Sequence, residues 1–178
     1  MSDQPPLIAD ANVLIDYMES DRFILGLMAR HVGSLYVAIP VLDKVDQLSA
    51  GECERLGITL VDPTTEELVE AGEGRAGLAF DDTVCVIMAR DNHWRCVTND
   101  RALRRVCTAE GVGVLWGLEV MLPLVQTGAL GAEDACLVAN KIQLVNPAFI
   151  TAKIVSEFES KARRITGKLE RKKGGQHG

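Results

Sequence analysis

The sequence predicts an α/β fold: a doubly wound, mainly parallel five-stranded sheet covered by helices in three layers, with additional C-terminal helices. Two observations predict it. Five short strand-like runs alternate with segments whose apolar residues recur at helical spacing, the order of parallel strands joined by helical crossovers. The opening run, Leu7 to Ala9, is apolar without alternation, as a strand buried on both faces should be.

Each element follows from its residues. After Leu7–Ala9, the residues Val13, Leu14, Tyr17 and Met18 recur at helical spacing, with Asp10-Ala11-Asn12 at the junction, where Asp and Asn also cap helices. Residues 23–31 continue helical. Residues 34–39, Ser-Leu-Tyr-Val-Ala-Ile, favour a second strand. Pro40 suits the first turn of a helix expected to run to about Ala50. A third strand spans 58–61, and Pro63-Thr64-Thr65-Glu66 opens another helix. Residues 78–91 read as a helix with Phe80, Val84, Ile87 and Met88 on one face. A fourth strand at 95–98, a helix at 100–110 closed by Gly111, and a fifth strand at 112–115 complete the alternation. Helices are then expected at 117–126 and 132–142. Asn146-Pro147 breaks the chain, and Thr151 caps a last helix carrying Ile154, Val155, Phe158, Ala162 and Ile165. The expected organisation is a flexible stretch at 1–6, one α/β domain at 7–116, a helical extension packed on it at 117–170, and a disordered tail at 171–178.

Composition narrows the class. A chain of 178 residues, 47% apolar and 25% charged, fits one soluble globular domain. No apolar run approaches the roughly 20 residues that span a bilayer, and the first residues lack the pattern of a signal peptide. A cytoplasmic location and no membrane association are expected. The five cysteines are odd in number and form no Cys-x-x-Cys pair, so they read as free thiols, most of them small core residues. His31, His93 and His177 have no metal-ligand spacing and read as surface residues. From Thr151 onward eight basic and three acidic residues give +5, which leaves −11 of the net −6 on the remainder. So acidic a body is unusual for a nucleic-acid binder, unless several acids hold a cation that offsets them.

Three acidic segments carry the chemistry: Asp10 after the first strand, Asp82 early in a helix, and Asp100 after the fourth strand. In an open parallel sheet, sites form at the carboxyl ends of strands beside a switch in strand order. Asp10 and Asp100 should both project from that edge, and Asp82 could lean over it. Hard oxygen ligands of this kind suit Mg²⁺ or Mn²⁺. Any one of these aspartates, taken alone, is better read as a cap or turn former; the order of all three makes the case.

The segments 8–16 (Ile-Ala-Asp-Ala-Asn-Val-Leu-Ile-Asp), 77–82 (Gly-Leu-Ala-Phe-Asp-Asp) and 97–103 (Val-Thr-Asn-Asp-Arg-Ala-Leu) together resemble the PIN-domain nucleases, and among them the small VapC-type toxins. The likeness covers Leu7 to about Leu115, and the helices after Trp116 resemble a common C-terminal extension. It implies a PIN-like domain at 7–116 and cleavage of single-stranded RNA by a metal-activated water. Asp10, Asp82 and Asp100 match the family's Mg²⁺ or Mn²⁺ carboxylates, with Asp82 preferred to Asp81. Asn12 and Thr98 match supporting positions, Thr98 as a hydroxyl that orients Asp100. In toxin members a small antitoxin protein blocks the site, and a homodimer is common.

One departure stands out. Where the family carries a glutamate, this chain has Lys44, after Val41-Leu42-Asp43. On a continuous helix Asp43 would lie about 100° round from that position. It is a candidate substitute ligand, while Lys44 is a candidate contact to phosphate or to an acid. The expectation is therefore an Mg²⁺- or Mn²⁺-dependent endoribonuclease. The alternative is a catalytically weakened PIN scaffold that binds RNA or protein.

Overall fold

A computed structural model describes residues 4–174. Its five strands form one sheet, all parallel, in the order β3-β2-β1-β4-β5. They are β1 (Leu7–Ala9), β2 (Leu35–Ala38), β3 (Thr59–Val61), β4 (Arg95–Val97) and β5 (Val114–Leu115). Strand β1 is central: Leu7 and Ile8 pair with Leu35 and Tyr36 on one side, and Leu7, Ile8 and Ala9 with Arg95, Cys96 and Val97 on the other. The chain winds outward from β1 through β2 to β3, then returns to its other side as β4 and β5. The carboxyl ends of β1 and β4 therefore flank the switch point where such sheets form a crevice.

Ten helices complete the described residues: α1 (Ala11–Ser20), α2 (Phe23–His31), α3 (Ile39–Leu42), α4 (Ala50–Leu56), α5 (Thr65–Gly72), α6 (Phe80–Asp91), α7 (Arg101–Ala109), α8 (Met121–Thr127), α9 (Ala132–Val145) and α10 (Ala152–Gly174). Their starts obey local chemistry. Asp10 caps α1 and Asp100 caps α7 through their side chains. Reciprocal Ser49–Glu52 and Thr64–Glu67 capping boxes open α4 and α5. The sheet is buried between helices, and Leu7, Ile8, Ala9, Leu35, Val37, Ala38, Cys96 and Val97 are essentially inaccessible. Helix α6 packs on β1 and β4 and buries seven of its residues, Thr83 to Ala89.

The structure differs from the sequence reading at several places. The helix expected from Pro40 to about Ala50 ends at Leu42. Tight turns follow, closed by bonds from the N–H groups of Lys44, Val45 and Leu48 to the carbonyls three residues before, and Val45 and Leu48 lie in the core. Ser49 then starts α4, which the periodicity of the residues did not suggest. Phe80 is 47% exposed at the tip of α6, away from the buried face of Val84, Ile87 and Met88. Residues 117–120 stay outside α8 because Gly117 is held by side-chain bonds to its own backbone. At the other end, α10 runs through Gly174, past the expected boundary at 170. Residues 1–3 and 175–178, including His177, lie outside the described residues. Within the expected flexible stretch at 1–6, the Pro6 carbonyl accepts from the Arg95 N–H at 2.9 Å.

Val120, Met121, Leu124 and Val125 of the helical extension are core residues, with α8 packed on α2 and α10. All five cysteines are free and buried, as read from their spacing. His31 and His93 are exposed. No helix among the described residues is long and apolar enough to cross a membrane.

Candidate functional site

Asp10 sits directly after β1, where its N–H donates to the Val97 carbonyl at 3.2 Å and ties it to β4. Its side chain is fully buried. Oδ1 accepts from the Val13 N–H at 2.8 Å, and Oδ2 accepts from the Thr98 hydroxyl at 2.5 Å. Thr98 in turn accepts the Asp100 N–H at 2.9 Å. One buried hydroxyl thus links the backbone of Asp100 to the carboxylate of Asp10, across the ends of two adjacent strands. Asp100 Oδ1 accepts from the Leu103 N–H at 2.8 Å. Asp82 lies half-buried in the first turn of α6, whose Cys85 thiol contacts the Ala9 carbonyl at 3.8 Å. That contact sets the start of α6 beside the end of β1.

The three carboxylates share an electrostatic field. Burial pushes Asp10 from an ordinary 3.8 up to about 7; bonds from Thr98 and Val13 oppose the rise, while the charges of Asp82 and Asp16 add to it. Burial likewise pushes Asp82 to about 6, with the charges of Asp81 and Asp100 adding to it. Among the described residues, none of the main influences on either acid is a basic side chain. Acids that desolvate and repel one another without a cation are the pattern that marks functional clefts.

Supporting positions divide. Thr98 touches both Asp10 and Asp100. Asn12 is exposed on α1, and its side chain makes no hydrogen bond among the described residues. Asp43 and Lys44 are exposed in the turns after α3, and neither is among the charges that move Asp10 or Asp82. The helical geometry that related Asp43 to position 44 does not apply, because the helix has ended.

A fourth acid emerged only in three dimensions. Asp16 is buried on α1, its Oδ1 accepting from Asn146 Nδ2 at 2.9 Å and its Oδ2 from Asn99 Nδ2 at 3.4 Å. Burial raises it to about 6, against the two amide bonds. The signal was present in the sequence: Asp16 adjoins Tyr17 on the apolar face of its helix, where an acid needs partners. Asn99 completes the frame by accepting the Gly117 N–H at 2.9 Å, while Tyr17 donates its hydroxyl to the Gly117 carbonyl at 2.5 Å.

The donor chemistry fits a hard divalent cation: carboxylate oxygens, with the charges of Asp82 and Asp100 adding to the rise of Asp10 and Asp82 in turn. As the side chains stand, however, no three His, Cys, Asp or Glu residues among those described form a ready cage for a metal. Asp10 in particular has each oxygen engaged by a protein donor. No family model matches the chain, and no curated protein proved similar to it.

Proposed function

We propose that this protein is a metal-dependent endoribonuclease of PIN type that cleaves single-stranded RNA. One observation carries the reading. Asp10 and Asp100 follow adjacent strands at the switch point of a parallel sheet, Asp82 opens the helix packed on those strands, and the charge of Asp82 bears on Asp10 while that of Asp100 bears on Asp82. In this reading the three carboxylates would hold Mg²⁺ or Mn²⁺. When bound, such an ion supplies an activated water and stabilises charge on a phosphoryl oxygen. Thr98 keeps Asp10 and Asp100 in a fixed relation, and burial of Asp10 keeps bulk water from its oxygens. The toxin role, with a small antitoxin and a homodimer, is part of the same proposal and rests on the motif resemblance.

A second reading is a PIN scaffold with weakened catalysis that binds RNA or protein. Two observations favour it: the absence of a ready cage among the described residues, and an exposed Lys44 where the family carries glutamate. A cleavage assay on single-stranded RNA with Mn²⁺ separates the two. Wild type should cleave, and Asp10→Asn and Asp100→Asn should each lose at least about a hundredfold in rate, the scale of removing a key electrostatic group. Equal activity in all three chains would show that the cleavage does not come from this site. If wild type is inert and Lys44→Glu gains both Mn²⁺ affinity and cleavage, the scaffold reading holds for the native chain.

A further inference from the structure

Beside the acidic edge lies a face of opposite character. Arg101, Arg104, Arg105 and Thr108 follow Asp100 on α7 at positions i, i+3, i+4 and i+7, which stacks them along one side of the helix. With Ala109 and Trp116 they line an open groove of about 600 Å³. None of the three arginines is in an ion pair among the described residues. Arg22, Arg75, Arg90 and Arg163 are paired with acids, whereas Arg30, Arg55, Arg95, Arg164 and Arg171 are, like these three, in no ion pair among the described residues; what sets the α7 arginines apart is their stacking in one groove.

This arrangement works against the stability of the helix. Like charges at i, i+3 and i+4 repel, and cations in the first turn oppose the helix dipole. An unpaired basic row on an acidic chain, at the end of a helix whose dipole is already positive, concentrates positive potential at one place.

The groove also holds a planar layer. The Arg104 guanidinium lies over the Trp116 indole, 3.4 Å from the ring centroid. Stacking holds the guanidinium flat and leaves its donors at the edges. Planar arginine and aromatic faces are the surfaces on which unpaired nucleobases stack.

We infer that the α7 groove is a single-stranded nucleic-acid shelf, in which a base stacks on the Arg104–Trp116 layer while Arg101 and Arg105 take the flanking phosphates. The shelf delivers the strand to Asp100, which caps the same helix. A duplex would fit it poorly, since paired bases do not offer their faces. The inference rests on the nuclease reading for its purpose, but binding needs neither metal nor cleavage.

The test is therefore run in EDTA. Fluorescence anisotropy of a labelled 12-nucleotide RNA is followed with wild type, Arg101→Gln/Arg105→Gln, Arg104→Gln and Trp116→Leu, with circular dichroism to confirm folding. Wild type should prefer the single strand over its duplex. The double variant should weaken binding about tenfold and reduce the slope of log affinity against log salt by about 1.4, for two phosphate contacts on a single strand. Arg104→Gln and Trp116→Leu should weaken binding to the normal strand severalfold, yet differ little from wild type on an abasic strand. Should Trp116→Leu fail to fold, Arg104→Gln still decides the stacking claim. Equal affinity for duplex, an unchanged double variant, or equally effective competition by polyglutamate would each overturn the shelf. Shelf variants that bind normally while wild type cleaves in Mn²⁺ would remove the shelf and leave the nuclease. Groove-dependent binding without any cleavage would do the reverse.

Discussion

Replacing Asp10 by Asn should make the metal-free protein more stable at pH 8 and weaken the proposed Mn²⁺ binding. The magnitude follows from burial. Asp10 is fully inaccessible, and its pKa rises from 3.8 to about 7. An acid raised in this way keeps its proton in the folded state where the unfolded chain has lost it. Between about pH 4 and 7 the folded state binds the extra proton, so stability falls as pH rises, and the whole penalty is present above pH 7. At about 1.4 kcal/mol per pH unit, the span amounts to about 4 kcal/mol. Asparagine resembles the protonated acid in shape and can keep the 2.8 Å bond from Val13 through its oxygen. Its amide then meets the Thr98 oxygen, which must turn its own hydrogen away, a loss of about 1 kcal/mol. A net gain of about 3 kcal/mol remains, or about 10 °C in melting temperature for a chain of this length. Urea unfolding in EDTA from pH 5 to 9 measures it: the wild-type curve should fall more steeply with pH than the variant's. Added Mn²⁺ at a hundredfold over its Kd should then raise wild type by about 2.7 kcal/mol and the variant by little. Parallel pH curves, or a variant less stable at pH 8 in EDTA, would refute a desolvated ionised Asp10.

Two further outcomes follow from other parts of the fold. At Gly117, an added Cβ would stand 2.4 Å from Asn99 Nδ2, so Gly117→Ala should push Asn99 off both Gly117 and Asp16 and lower stability by about 2–4 kcal/mol in urea. Glu70 bridges Arg90 and Arg75, chiefly through its bonds to Arg90, which lower its pKa from 4.5 to about 2. That stabilisation is complete above about pH 4.5 and disappears as pH falls towards 2. Glu70→Gln should therefore destabilise at pH 7 and not at pH 2, with the difference shrinking in about 1 M salt because the network is partly exposed.

Much of the fold was legible because it depends on local patterns. Apolar runs, capping residues and their alternation fixed four of the five strands to within a residue or so, and the fifth to within two. They also gave the order of most helices. The largest failure has a specific cause. Residues 43–49 look continuous with a helix, but the pull of Val45 and Leu48 into the core unwinds it, and that pull comes from elements remote in sequence. The same change took Asp43 and Lys44 out of the geometry assigned to them.

By itself, the sequence determined that acids would stand at the ends of β1 and β4 and near the start of α6, since those positions depend on strand-to-helix junctions. It also placed the Thr98 hydroxyl beside Asp100, two residues away. Only the tertiary structure decided that the same hydroxyl reaches Asp10, that Asp16 is a buried acid held by two distant asparagines, and that Arg104 rests on Trp116. These contacts join residues 12 to 130 positions apart, so no local periodicity encodes them. They exist because burying the apolar sheet brings its polar edges together, and each buried polar group must then find a partner.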